Sequence, residues 1–375
     1  VPASTLVPAG ATTATFPITA VKAAAGVRLT ARGQDGLDRR TYLAVQAAAD
    51  ATQAAAGGKD HTVTVVRYLP ARGTRAAAVL AGVALPRPAE GQPAAHGLLI
   101  RFSPDLHKAT QIEIGSEPRA IVHDPQRNKL YVLAGLAVSI LDADTLAVRA
   151  QREVGFTATD LAVDPAAGEV LVPQLGPGRV LVWSADDLTD RQIVTDLPAA
   201  LRISCAPGTD LAYVVHSSRA DGIAGVTQLR RRRTGWTRGA TVQIDPAALV
   251  PQDVVFDPTL NRVHVACQGN LGAGAPSVRV YSATLQLLRD IPVPGPARAL
   301  SGVPGSATLT VATDRGTIQV DTSTGAVGDL AAVDRKVPIT VEVDPLSGTA
   351  YVGDRLDGSL TRLPLSTTLP SAEWT

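Results

Sequence analysis

Three charged residues, Asp160, Arg202 and Asp253, stand at equivalent places in three consecutive copies of a recurring phrase, each four residues before a turn Asp or its equivalent. If the phrases line a common channel, they form a carboxylate–guanidinium–carboxylate row. Such a row can bind a sugar, a peptide or a cation, because Arg offers a fixed fork of donors between two acceptors. The competing reading is a salt-bridged plug, since partly buried charges pair with one another. One position earlier the copies read Arg119, Thr159, Leu201, Gln252, Arg298 and Ile339. Arg119, Asp160, Arg202, Asp253 and Arg298 are therefore the candidate ligand-binding residues at the channel mouth.

Other residue types lead elsewhere. Asp124, Asp164, Asp257 and Asp344 each precede a Pro. An Asp there accepts a backbone N–H two residues on while Pro fixes φ, so these four are turn punctuation and not catalytic groups. His61, His96, His107, His123, His216 and His264 show no metal-ligand spacing, and strand histidines are commonly packed or solvated. Cys205 and Cys267 lie outside any Cys-x-x-Cys spacing; a disulfide between neighbouring blades is one reading and two buried thiols the other. The run Arg230–Arg233, followed by Trp236 and Arg238, suits an acidic or phosphate-bearing partner or, with only 3% aromatics and a net charge of +1, a solvated edge. There is no Ser/His/Asp signature, nucleophile elbow, phosphate loop or EF-hand series. Gly269–Gly274 does not join a strand to a helix, so it is not a dinucleotide loop. No catalytic residue, metal ligand set or cofactor is expected.

The elements that must position these residues are short strands. Arg119–Asp124 leads through Pro125 to Leu130-Tyr131-Val132, and Asp160–Asp164 leads through Pro165 to Val170-Leu171-Val172. Further copies turn at Pro207, Pro258, Pro304 and Pro345, so the turn prolines recur every 40 to 51 residues. That period, with about four strands per unit, is the signature of a β-propeller. Blades begin near Pro118, Ala158, Ala200, Pro251, Ala297 and Pro338, preceded by one over residues 61–115, giving seven. The first carries a Pro/Gly insertion over Pro86–Gln92, read as a surface loop. The seventh has no clear fourth strand, and His61–Arg67 is expected to supply it and close the ring.

The first 47 residues have another texture. Val7–Thr19, Gly26–Gly33 and Arg40–Val45 alternate with period two between Gly-rich turns, which predicts three antiparallel strands, about half of a β-sandwich. Residues 48–60, Ala-rich and ending in Gly57-Gly58, read as a linker. The propeller then runs over 61–375, and the fold class is all-β.

Two resemblances follow from these residues. Over residues 61–370 the repeat resembles the YVTN family of β-propellers, related to the lactonase-like and NHL propellers, most closely in Lys129-Leu130-Tyr131-Val132, in Thr349–Gly353 and in the Asp-Pro turns. Residues 7–45, with Val7-Pro8-Ala9-Gly10-Ala11-Thr12 before a Val27-Arg28-Leu29-Thr30-Ala31 strand, resemble the C-terminal half of a bacterial Ig-like module. The first resemblance implies the fold but not one activity, because that family spans enzymes, secreted binding modules and surface proteins.

Bulk composition narrows the classes. The chain has 375 residues, 45% hydrophobic and 18% charged, an ordinary globular mixture. A net charge of +1 gives no reason to expect nucleic acid. No apolar run approaches the ~20 residues of a membrane span. The chain opens on Val1 and has no Met, which reads as a processed or trimmed protein; the Ala- and Arg-rich usage suggests a bacterial source. The expected protein is a non-catalytic, extracellular or cell-surface bacterial binding, adhesion or assembly module. Its partner would be a protein or glycan, with self-assembly through the incomplete Ig-like module as a further route. The alternative is a lactonase-like hydrolase working at the channel mouth.

Overall fold

In the computed structural model the described residues are 24–32, 38–45, 52–56, 61–86, 97–205, 208–218, 221–245, 247–270, 274–328 and 337–365. All their regular structure is β. Among them no helix is long and apolar enough to cross a membrane. The chain divides into two compact units, Val1–Ala51 and Thr52–Thr375.

In the first unit, Ala24–Arg32 and Asp38–Val45 form an antiparallel pair in which Arg28 faces Tyr42. These are two of the three predicted strands. Val7–Thr19, which the Ig-like reading also needs, lies outside the described residues.

The second unit is a seven-bladed β-propeller built from seven antiparallel sheets. The innermost strands are Thr62–Leu69, Pro118–Asp124, Ala162–Asp164, Ala200–Cys205, Leu249–Asp257, Ala297–Gly302 and Pro338–Asp344. Each touches the next around the ring, and the last touches the first.

Sequence explains the layering. Second strands such as Glu169–Gln174 and Thr349–Asp354 are buried almost throughout, because each blade is covered by a neighbour on both faces, so apolar residues need not alternate. Fourth strands such as Lys108–Glu113 and Val148–Glu153 are mostly exposed and polar. The buried side chains form seven separate apolar clusters, each straddling one pair of adjacent blades. The core is thus a ring of interfaces around a channel. Between blades 3 and 4, buried Trp236 donates its indole N–H across the interface to Glu169 at 2.8 Å.

The turn aspartates act as punctuation. Asp124 Oδ1 accepts from the Gln126 and Arg127 N–H groups at 2.8 and 3.1 Å. Asp257 Oδ1 does the same for Thr259 and Leu260 at 2.8 and 3.0 Å.

Closure differs from the sequence expectation. Thr62–Leu69 is the innermost strand of blade 1, not the fourth strand of blade 7. The closing strand is Thr52–Ala55, paired antiparallel with Ser359–Pro364 so that Gln53 faces Thr361. This segment falls inside the stretch read as a linker. An outermost strand is held by its backbone ladder, so its side chains need carry no apolar pattern. Blade 6 shows three strands plus a single bridge, Val320 to Val327, among the described residues. Most of the Pro86–Gln92 insertion lies outside them.

Candidate functional site: the channel wall

An innermost strand is paired on one edge only; its other edge turns N–H and C=O groups toward the channel axis. Such groups need partners, and the propeller supplies them from the preceding blade. Asp160 Oδ2 accepts from the Ile203 N–H at 2.9 Å, Asp253 Oδ2 from Leu300 at 2.8 Å, and Thr340 Oγ1 from Val66 at 3.2 Å. All three acceptors occupy the position four residues before the turn. Two residues further along, Ser204 Oγ accepts from Phe256 and Ser301 Oγ from Val343, both at 3.0 Å. The Glu342 carboxylate takes the Tyr68 N–H at the same level.

Donor side chains serve carbonyls across the same gaps, forward from Arg67 and Arg119 and backward from Arg202. Arg67 Nε donates to Ile121 O at 2.9 Å, Arg119 Nη1 to Ala158 O at 3.1 Å, and Arg202 Nη1 to Thr159 O at 2.7 Å. Both oxygens of Asp253 are engaged, since its Oδ1 also accepts the Val254 N–H at 2.9 Å.

The structure brings Asp160, Arg202 and Asp253 together. Arg202 Nη1 stands 4.0 Å from Asp160 Oδ1, and the fields of Arg202 and Asp160 both act on Asp253. Burial pushes Asp253 up to about 6 against the pull of Arg202. Asp160 is raised by the same cause, although its side chain keeps 18% of its surface open to the channel.

A second charged pair escaped the sequence reading: Arg67 Nη1 meets Glu342 Oε1 at 3.0 Å. Burial raises Glu342 despite Arg67, and the field of Arg67 reaches Asp160. Glu342 would have emerged from aligning the level two residues before the turn. Arg67 would not, because blade 1 has no Asp-Pro turn to set its register.

The other two candidates stand apart from this cluster. Arg119 approaches Glu117 at 3.8 Å. Arg298 has a buried Nε without a hydrogen-bond partner, and its side chain makes no ion pair among the described residues. Among the described residues no three His, Cys, Asp or Glu side chains gather as a metal site.

The proposed disulfide is absent. Cys205 and Cys267 are both free thiols. Cys205 Sγ turns back toward blade 3 and lies 2.9 Å from Val163 O, while Cys267 is packed in the apolar cluster between blades 4 and 5. Burial pushes the Cys267 thiol up to about 12 and raises Cys205 as well.

No protein-family model matches the chain, and no curated protein does. Among solved structures, a chain of Kuenenia stuttgartiensis hydrazine synthase is similar, with a TM-score of 0.64 and 11% identity over 78% of this chain and 93% of that one. At that identity the likeness is one of fold alone. With 1377 solved chains matching this architecture, the fold does not select among activities.

Proposed function

We propose that this chain is a non-catalytic bacterial binding module, extracellular or at the cell surface, related to the YVTN and lactonase-like propellers. In this reading the Ig-like segment acts as part of a stalk and the channel mouth holds a carboxylate-bearing glycan or peptide. The observation that carries it is the division of labour in the channel. Asp160, Asp253 and Glu342 are occupied by backbone N–H groups of the next blade, whereas the half-buried Arg298 side chain has no ion-pair partner among the described residues. A guanidinium in that state favours an incoming anion over a cation.

The test is calorimetric titration with an acidic oligosaccharide such as oligogalacturonate, beside its neutral counterpart. Saturable binding of the acidic form, weakened tenfold or more by Arg298→Gln, is expected. No binding, or binding indifferent to Arg298→Gln, overturns this site. The hydrolase reading would need Asp160 or Asp253 to activate water while both hold backbone N–H groups. Ring opening of a simple lactone that disappears in Asp160→Asn would replace the binding reading with it.

A further inference from the structure

The arginine run occupies a place unlike its counterparts in other blades. Third strands elsewhere are six residues long, as in Ala137–Asp142, Arg179–Ser184 and Ser277–Ser282. They end in side-chain-capped turns, as where Asp142 Oδ1 accepts from Asp144 and Thr145 at 3.1 and 2.9 Å. In blade 4 the third strand, Ile223–Arg232, has ten residues and its partner, Gly235–Gln243, has nine. This hairpin overhangs the Asp-Pro turn side of the propeller. Beside it, between blades 4 and 5, lies a groove of about 400 Å³ lined by Arg230, Arg231, Arg232, Asp210, Asn261 and Thr284, with Gln228.

The groove is constructed around Arg230. Gln228 is 1% exposed, and its Nε2 is anchored on Ala283 O at 2.5 Å and on the Tyr213 hydroxyl at 3.3 Å. Its Oε1 accepts from Arg230 Nε at 2.5 Å. A Cβ at Gly239 would stand 3.0 Å from that same oxygen, so the glycine leaves room for the arrangement. A buried amide thus fixes one edge of a guanidinium on an exposed residue, while neither Nη of Arg230 has a partner among the described residues.

Arg232 likewise has none. Arg231 is committed to Asp210, with Nε at 3.1 Å and Nη2 at 3.0 Å. Its Nη2 also lies 3.9 Å from the buried Asp164 carboxylate, so Arg231 is held by the protein, whereas Arg230 and Arg232 have no carboxylate partner among the described residues.

We infer that this groove is an anion site for a phosphate or sulfate monoester of about monosaccharide size. Two guanidinium forks, from alternate residues of one strand, together with the Asn261 amide, offer more donors than a planar carboxylate can use. A tetrahedral oxyanion with three terminal oxygens accepts from several directions at once. The volume lies within the range of small-molecule sites. The site is distinct from the channel and does not depend on the reading given above.

The test is titration with glucose 6-phosphate, glucose and glucuronate at matched ionic strength. Saturable binding of glucose 6-phosphate is expected, at least tenfold tighter than glucuronate, with none for glucose. Arg230→Gln and Arg232→Gln should each weaken it tenfold or more. Arg233→Gln, exposed and outside the groove lining, should leave it unchanged, as should Arg298→Gln. All four positions are surface or channel residues, and unchanged thermal midpoints will show that the fold is intact. Equal affinity for glucuronate, or binding insensitive to Arg230→Gln and Arg232→Gln, overturns the inference.

Discussion

The channel wall and the groove between blades 4 and 5 both gather guanidinium and carboxyl groups, yet they use them in opposite ways. In the channel, side-chain oxygens at two fixed levels receive the N–H groups of the next blade, and arginines cover carbonyls of the blade on one side or the other. In the groove, one buried amide orients a guanidinium whose outer nitrogens face open space. The difference teaches that a charged cluster is identified as a site by what its hydrogen-bonding capacity is already doing. Charge that completes a strand edge is part of the ring. Charge held in place without a partner is available to a ligand.

The sharpest way to break that comparison is Asp253→Ala. It removes the acceptor for both Leu300 and Val254 N–H groups, and a buried donor left unpaired costs about 1–3 kcal/mol. A loss of about 2–3 kcal/mol in urea denaturation is expected. A loss under about 0.5 kcal/mol would mean that water replaces the carboxylate freely and that Asp253 is available for ligand chemistry after all. Ser204→Ala should cost less, about 1 kcal/mol, because it removes a single neutral acceptor from Phe256.

Much of this ring is written locally in the chain. The Asp-Pro turns recur because one side chain caps its own turn, so seven blades and the register of most inner strands could be read directly, and Asp160, Arg202 and Asp253 fell on one level. What those residues do was not legible. The N–H that Asp160 accepts comes from Ile203, 43 residues away on a neighbouring strand edge, and no local pattern marks that pairing. Thr52–Ala55 has the composition of a linker because a closing strand is specified by backbone hydrogen bonds to Ser359–Pro364. The cysteines looked adjacent along their blades, yet their side chains enter different interfaces. The arginine run was visible; the buried Gln228 that organises it was hidden in an apolar strand.

Acidity sharpens the comparison further. A free Asp titrates near 3.8, and in the fold Asp253 is pushed up to about 6 by burial. Between those values the native protein holds a proton that the unfolded chain has released. The resulting stabilisation is complete below about 3.8 and is lost as pH rises through about 6. His123 and His264 work in the opposite sense. Burial lowers both from 6.5 to about 4, so acidification across that window favours the unfolded chain. Asp253→Asn keeps an acceptor but removes the first effect. One of the two N–H groups then loses its oxygen at every pH, and on top of that constant cost the variant should fall about 1–3 kcal/mol further behind the wild type at pH 4.5 than at pH 7.5. Parallel stability curves for the two proteins would show that the carboxyl titrates as it does in water.

The smallest expected effect on stability is at the groove. Arg230 and Arg232 are exposed, and Arg230 gives only its Nε to the protein. Replacing either with Gln should therefore shift unfolding by no more than about 0.5 kcal/mol, as for a surface position outside a network. The two regions would then separate on one pair of axes: Asp253→Ala loses stability, while Arg230→Gln loses ligand and keeps stability. If Arg230→Gln instead unfolds at markedly lower urea, its guanidinium is holding the long blade 4 hairpin in place. The groove would then belong, like the channel carboxylates, to the machinery that keeps the strands together.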